Sequence, residues 1–108
     1  LNYRHAFHAG NFADLVKHAA LIELLARMDA DPAPLTVIDT HAGAGLYDLT
    51  GAESRRSAEA QAGVDILMAA GAPPPELEAL RAAVTAASGA AGRRIYPGSP
   101  WLIARALR

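Results

Sequence analysis

The sequence predicts an α/β fold with a parallel sheet, present only in part, on three observations. Apolar residues recur at helical spacing from about Phe12 to Met28. The short β-branched run Leu35-Thr36-Val37-Ile38-Asp39 leads into the glycine-rich turn His41-Ala42-Gly43-Ala44-Gly45. A brief run, Arg94-Ile95-Tyr96, leads into a last helix at Pro97-Gly98-Ser99-Pro100.

Each element has a local cause. Asn11 reads as the N-cap of the first helix, with Asp14 in its first turn where a carboxylate meets the positive end of the helix dipole. Leu15, Ala19, Ile22 and Leu25 or Ala26 supply the buried stripe, and Asp31-Pro32-Ala33-Pro34 ends the helix because proline disfavours helix at the residue before it. Leu35–Asp39 has the apolar, two-faced composition of a buried parallel strand. Two alanine-, leucine-, glutamate- and arginine-rich stretches, about Ser54–Ala70 and Pro74–Ala87, form a helical hairpin across Gly71-Ala72-Pro73-Pro74-Pro75, with Gly89 and Gly92 breaking the second helix. Ser99 is the expected N-cap of the last helix and Pro100 its first helical residue.

Composition narrows the function classes. A chain of 108 residues fits one domain, and a domain of that size hides only about two thirds of its unfolded surface. No run reaches the roughly 20 apolar residues that cross a bilayer, and the opening Leu1-Asn2-Tyr3-Arg4-His5 is unlike a secretory signal. Without cysteine there is neither a disulfide framework nor a thiolate zinc site. These readings predict a soluble, cytoplasmic protein with no membrane partner. The net charge of −1 conceals an acidic first half and an arginine-rich second half (Arg55, Arg56, Arg81, Arg93, Arg94, Arg105, Arg108). Such arginines suit phosphate contacts, although a solvated helix face explains them as well.

Candidate sites follow from residue type and position. Gly43 and Gly45, directly after the predicted strand, let the backbone approach a ligand at the carboxyl end of a sheet. The spacing is neither the full dinucleotide fingerprint nor a Walker loop, and an ordinary turn accounts for it equally. Ser99, at a helix start, presents N–H groups to an anion or simply caps the helix. His5 and His8 have His-x-x-His spacing, with His18 or His41 as a third metal ligand, but no thiol or His-Glu-x-x-His helix accompanies them. Lys17 and His18 point about 100° apart on the first helix, so at least one lines a surface or cleft. Tyr3, Phe7 and Arg4 either stack on a nucleobase or anchor the leader.

Read together, these pieces carry a family resemblance. The stretch from Tyr3 to His18, the turn from Asp39 to Gly45 and Tyr96-Pro97-Gly98-Ser99-Pro100, in that order, closely resemble the bacterial 23S ribosomal RNA adenine-N6 methyltransferase family RlmJ. The resemblance implies a Rossmann-like fold dependent on S-adenosyl-L-methionine, with an inserted helical subdomain. On that basis residues 1–52 hold a lid, the first helix, the first strand and the cofactor loop. Residues 53–92 are the insertion, and 93–108 return to a methyltransferase core that is cut short. The resemblance places His18, His41, Ser99 and Gly43 at the S-adenosyl-L-methionine, and Tyr3, His5 and Lys17 toward the 23S ribosomal RNA substrate. The family's acceptor motif, Asp-Pro-Pro-Tyr, does not occur in these 108 residues. The chain is therefore expected to be inactive alone, to self-associate through open strand edges, and to belong to a longer protein. The alternatives are a non-catalytic fragment that binds RNA or a partner, a histidine-metal hydrolase, and methylation of DNA adenine.

Overall fold

A computed structural model describes residue 5 and residues 8–50 and 59–107. Its elements, in chain order, are α1 (Phe12–Asp29), β1 (Leu46–Asp48), α2 (Glu59–Ala62), α3 (Val64–Ala69), a 3-10 turn (Pro75–Leu77), α4 (Glu78–Ala91), β2 (Ile95–Pro97) and α5 (Ser99–Leu107).

The helix boundaries follow local chemistry. The Asn11 side chain accepts the Asp14 N–H at 2.8 Å, which starts α1 at the expected residue. On its inner face Leu15, His18 and Leu25 are buried, so a histidine fills a position that periodicity assigned to alanine. In α4 the buried residues are Leu80, Ala83, Val84 and Ala87, an i, i+3, i+4, i+7 stripe. Gly89 does not break α4, contrary to expectation. The helix runs on to Ala91 and stops at Gly92, whose φ of 70° is the left-handed conformation that ends helices. Just beyond, the Ser88 hydroxyl accepts the Ile95 N–H at 3.0 Å and donates to the Ile95 carbonyl at 3.1 Å, pinning the start of β2 to α4.

The sheet differs from the parallel one expected. Among the described residues, β1 and β2 form one antiparallel pair, with Leu46 opposite Pro97, Tyr47 opposite Tyr96 and Asp48 opposite Ile95. Leu35–Asp39 joins no ladder there, and Ile38 is 84% exposed. The physical reason is plain: a parallel strand needs a neighbouring strand to take its N–H and C=O groups, and no described strand pairs with this segment. Helices α2 to α4 lie in sequence between the two paired strands. Helix α1 packs on α5 and α4, around a core that includes Leu15, Val64, Leu67, Leu80, Val84 and Tyr96.

The expected helix of 54–70 is interrupted. Residues 51–58 lie outside the described part, and at Gly63 the remainder divides into α2 and α3. There the leader crosses the helix: the Val64 N–H donates to the Gly10 carbonyl at 2.8 Å. A Cβ on Gly63 would stand 2.1 Å from that oxygen, and one on Gly10 (φ 78°) would stand 2.7 Å from Val64 Cγ1. The two glycines are what lets the backbones touch.

Asp14 fastens the same leader to α1. It is 3% exposed, and its carboxylate accepts from His5 Nε2 at 2.7 Å and from the Gly10 N–H at 3.1 Å. Lys17 Nζ lies 3.5 Å from its other oxygen. Asp14→Ala strands these donors and is expected to lower stability by about 2–4 kcal/mol in urea unfolding. Asp14→Asn, which keeps an oxygen for Gly10, should cost less.

Candidate functional site

The site forms where three segments meet: the inner face of α1, the loop 39–45, and the β2–α5 junction. The glycine loop folds around Tyr47 of β1. Gly43 takes φ 63°, and a Cβ there would stand 2.6 Å from the Tyr47 hydroxyl, which accepts the Ala44 N–H at 3.1 Å. At the junction, the Gly98 N–H donates to the Gly45 carbonyl at 2.8 Å, and a Cβ on Gly98 would sit 2.5 Å from the Ala44 carbonyl oxygen. Glycine at 43 and 98 is thus required by close approach, and the loop lies flat against the start of α5.

Asp39 joins the loop to α5 a second time. Its carboxylate accepts the Ser99 hydroxyl at 2.5 Å and the His41 N–H at 3.2 Å. The Ser99 side chain therefore does not cap its own helix as expected. Ser99 is the first residue of α5, the Gly98 carbonyl accepts the Leu102 N–H at 3.1 Å, and the serine hydroxyl goes to Asp39. Next to it, His41 Nδ1 pairs with the Thr40 hydroxyl at 2.9 Å.

From the α1 side, His18 is buried to 2% exposure, with Nδ1 2.6 Å from the hydroxyl of Tyr96, itself fully buried. Burial is the main reason that the His18 pKa falls from 6.5 to about 4. The charges of Lys17 and His5 push the same way, while Asp14 and Asp39 oppose them. Burial, with Asp14, also pushes the Tyr96 phenol far above its ordinary range. At neutral pH the pair is an uncharged imidazole and an uncharged phenol. His5 closes the rim, its ring edge-on to Tyr47 with centroids 5.2 Å apart.

The resulting cavity is about 500 Å³, within the range of small-molecule sites. His5, Lys17, His18, His41, Gly43 and Ser99 all line it, together with Ala42, Tyr47 and Gly98. Of the residues that the family resemblance placed at the cofactor or the RNA, all line it except Tyr3, which lies outside the described residues, as do Arg4 and Phe7; Gly45 and His8, also candidates from the sequence, do not line it. A more apolar trough of about 470 Å³ adjoins it, sharing Lys17, His18, His41 and Ser99 and adding Leu24, Val37, Ile38 and Ile103.

Other candidates disperse. His8 turns from the cavity to pair with Glu59 on α2, and among the described residues no group of three or more His, Cys, Asp or Glu could hold a metal. Of the arginines, Arg93 meets Asp48, Arg94 meets Asp65, and Arg105 lies over the Trp101 ring at 5.4 Å. Among the described residues no helix is long and apolar enough to cross a membrane. Sequence reasoning passed over Asp39, Tyr47 and Tyr96 as site residues. Asp39 had a signal, a carboxylate ending an apolar run before a glycine turn; Tyr96 stood in a flagged stretch without anything to mark its partner.

These features define a mixed helix-and-strand chain with a polar-lined cavity at a glycine loop. A family model described as "RsmJ: Ribosomal RNA large subunit methyltransferase D, RlmJ" matches residues 32–108. Over 99% of its length the chain is 40% identical to the ribosomal RNA large subunit methyltransferase J of Escherichia coli K12, and it covers 38% of that protein. It is 33% identical to the Haemophilus influenzae protein of the same name over its whole length, covering 39% of that relative. The chain belongs to this family of ribosomal RNA large subunit methyltransferases, and it spans well under half the length of these relatives.

Proposed function

We propose that the cavity between α1, the 39–45 loop and the start of α5 is one side of an S-adenosyl-L-methionine site. In this reading the site belongs to an enzyme that methylates the N6 amine of an adenine in 23S ribosomal RNA. The observation that carries the reading is the convergence of His18, His41, Gly43 and Ser99 on one cavity. The donor set suits this ligand, whose methionine end has a carboxylate and an ammonium and whose ribose has hydroxyls. An uncharged His18 offers a hydrogen bond without repelling a sulfonium, while the His41 ring and the polar start of α5 suit the carboxylate. When bound, S-adenosyl-L-methionine supplies an activated methyl group. The chain's own residues bind and orient: Gly43 keeps the loop low, Asp39 holds Ser99 and His41 in register, and His5 and Lys17 stand at the rim toward the RNA. Tyr3, on the leader, is assigned to the target base, which must leave its stack to be reached.

On the same reading the chain is part of a Rossmann-like domain. Residues 1–52 are lid, first helix, first strand and loop; 53–92 are a helical insertion; 93–108 lead back into the core. Two observations support it. The helices lie in sequence between β1 and β2, which pair with each other, and Leu35–Asp39 joins no helix and no ladder among the described residues, with Ile38 exposed. An added parallel neighbour would turn it into the expected strand.

Calorimetric titration of the chain with S-adenosyl-L-methionine tests the site. Saturable one-to-one binding is expected, weakened about tenfold, roughly one hydrogen bond's worth, by His18→Ala. A folded protein that takes up no ligand would remove the proposal. In a radiolabelled methyl-transfer assay on unmodified ribosomal RNA, these 108 residues are expected to give no turnover above a no-protein control.

A further inference from the structure

We infer that Tyr96 is a positioning residue: its hydroxyl donates to His18 Nδ1, holding His18 in the tautomer that presents Nε2–H to the cavity as a donor for an oxygen acceptor on the ligand. The inference rests on the cavity being the ligand site, but its first test needs no ligand.

The geometry leaves two arrangements for the 2.6 Å contact between His18 Nδ1 and the Tyr96 hydroxyl. If the imidazole donated through Nδ1–H, the phenol hydrogen would need another acceptor. Tyr96 is 0% exposed, and among the described residues its hydroxyl has no second partner. That hydrogen would be stranded in the core, a cost equivalent to about tenfold or more in the tautomer ratio. If the phenol donates instead, nothing is stranded. Nδ1 is then the acceptor, the ring proton sits on Nε2, and Nε2 is the ring nitrogen left for the cavity that His18 lines. Among the described residues no buried side-chain nitrogen or oxygen goes without a partner, so His18 Nε2, which has none, is not sealed in the core.

Both groups stay uncharged near neutral pH because burial opposes their ionisation, so the direction of the bond is set by packing and holds across the working range. The consequence is specificity. A His18 fixed as Nε2–H accepts no hydrogen bond from a ligand's ammonium or amine and rewards a carboxylate or hydroxyl oxygen. A free imidazole would present either tautomer.

Long-range proton–nitrogen NMR of histidine-labelled protein, without ligand, reads the tautomer directly. Expected is a His18 protonated at Nε2 with Nδ1 unprotonated, and a mixture of tautomers in Tyr96→Phe. A His18 protonated at Nδ1, or a tautomer unchanged by Tyr96→Phe, overturns the inference. The second arm is affinity for S-adenosylhomocysteine. Tyr96→Phe should weaken it about twofold in the native background, the factor that an even mixture of tautomers sets, and leave it unchanged in His18→Gln, whose amide N–H stands in for Nε2–H without needing Tyr96. Equal losses in both backgrounds would make Tyr96 merely structural and overturn the positioning role. If native protein shows the expected tautomer and binds no S-adenosylhomocysteine, the site reading fails and the donor role toward a ligand falls with it, while the Tyr96-to-His18 bond stands.

Discussion

Gly63→Ala is expected to cost about 3–5 kcal/mol of folding stability, the size seen when backbone or core groups are forced apart. The added methyl would stand 2.1 Å from the Gly10 carbonyl oxygen and 2.9 Å from the Asn11 carbonyl carbon. Both are backbone atoms, so no rotamer change relieves the collision. Parting the segments also breaks the hydrogen bond from the Val64 N–H to the Gly10 carbonyl and unseats Ala9 and Leu15 from the shared core. The loss reaches the site, because the leader that moves carries His5 to the cavity rim. Gly89→Ala is the control. Gly89 lies within α4 with nothing inside 4 Å of an added Cβ, and alanine there should stabilise by about 0.5–1 kcal/mol. Urea unfolding of both variants measures the contrast, and a Gly63→Ala protein as stable as the parent would refute the crossing of leader and helix.

The second large effect is acid sensitivity through His18. Its folded pKa is lowered, from 6.5 to about 4, so the unfolded chain takes up the proton first as pH falls. The contribution of a neutral His18 is complete above pH 6.5, declines from there to about pH 4, and is gone below. The gap between the two values corresponds to about 3 kcal/mol at about 1.4 kcal/mol per pH unit. Stability measured from pH 7 to pH 4 should fall by that order in the parent, and the slope between 6.5 and 4 should flatten in His18→Gln. A parent profile flat over that interval would place His18 in water instead of the core.

How much of this was legible in the sequence depends on how local the cause was. The ends of α1 came from an Asn11 cap and a proline-bearing stop, both within reach of the helix itself. The start of the last helix was legible to within a residue, but the expected Ser99 cap was not, because the serine hydroxyl goes to Asp39, which is distant in sequence. The cavity residues came through resemblance to a family, and the structure brings those it describes to one place without testing their roles. What escaped was set at a distance. Leu46–Asp48 is too short to show a period, and only its pairing with Ile95–Pro97 makes it a strand. Leu35–Asp39 has strand composition, yet composition cannot supply a neighbour. Gly63 looked like an ordinary helical position until the Gly10 backbone was laid across it. Asp14 read as a first-turn carboxylate answering a helix dipole; its larger part is to hold His5 and Gly10, which α1 periodicity could not show.

The proposed function requires one shared cavity for the methyl donor. Amide and imidazole NMR shifts followed during titration with S-adenosyl-L-methionine test it most directly. The expected result is saturable movement at His18, His41, Gly43 and Ser99 together, with the α3–α4 turn at Gly71 and Ala72 unmoved. Shifts confined to that turn or to the outer face of α4, with the cavity residues silent, would contradict it.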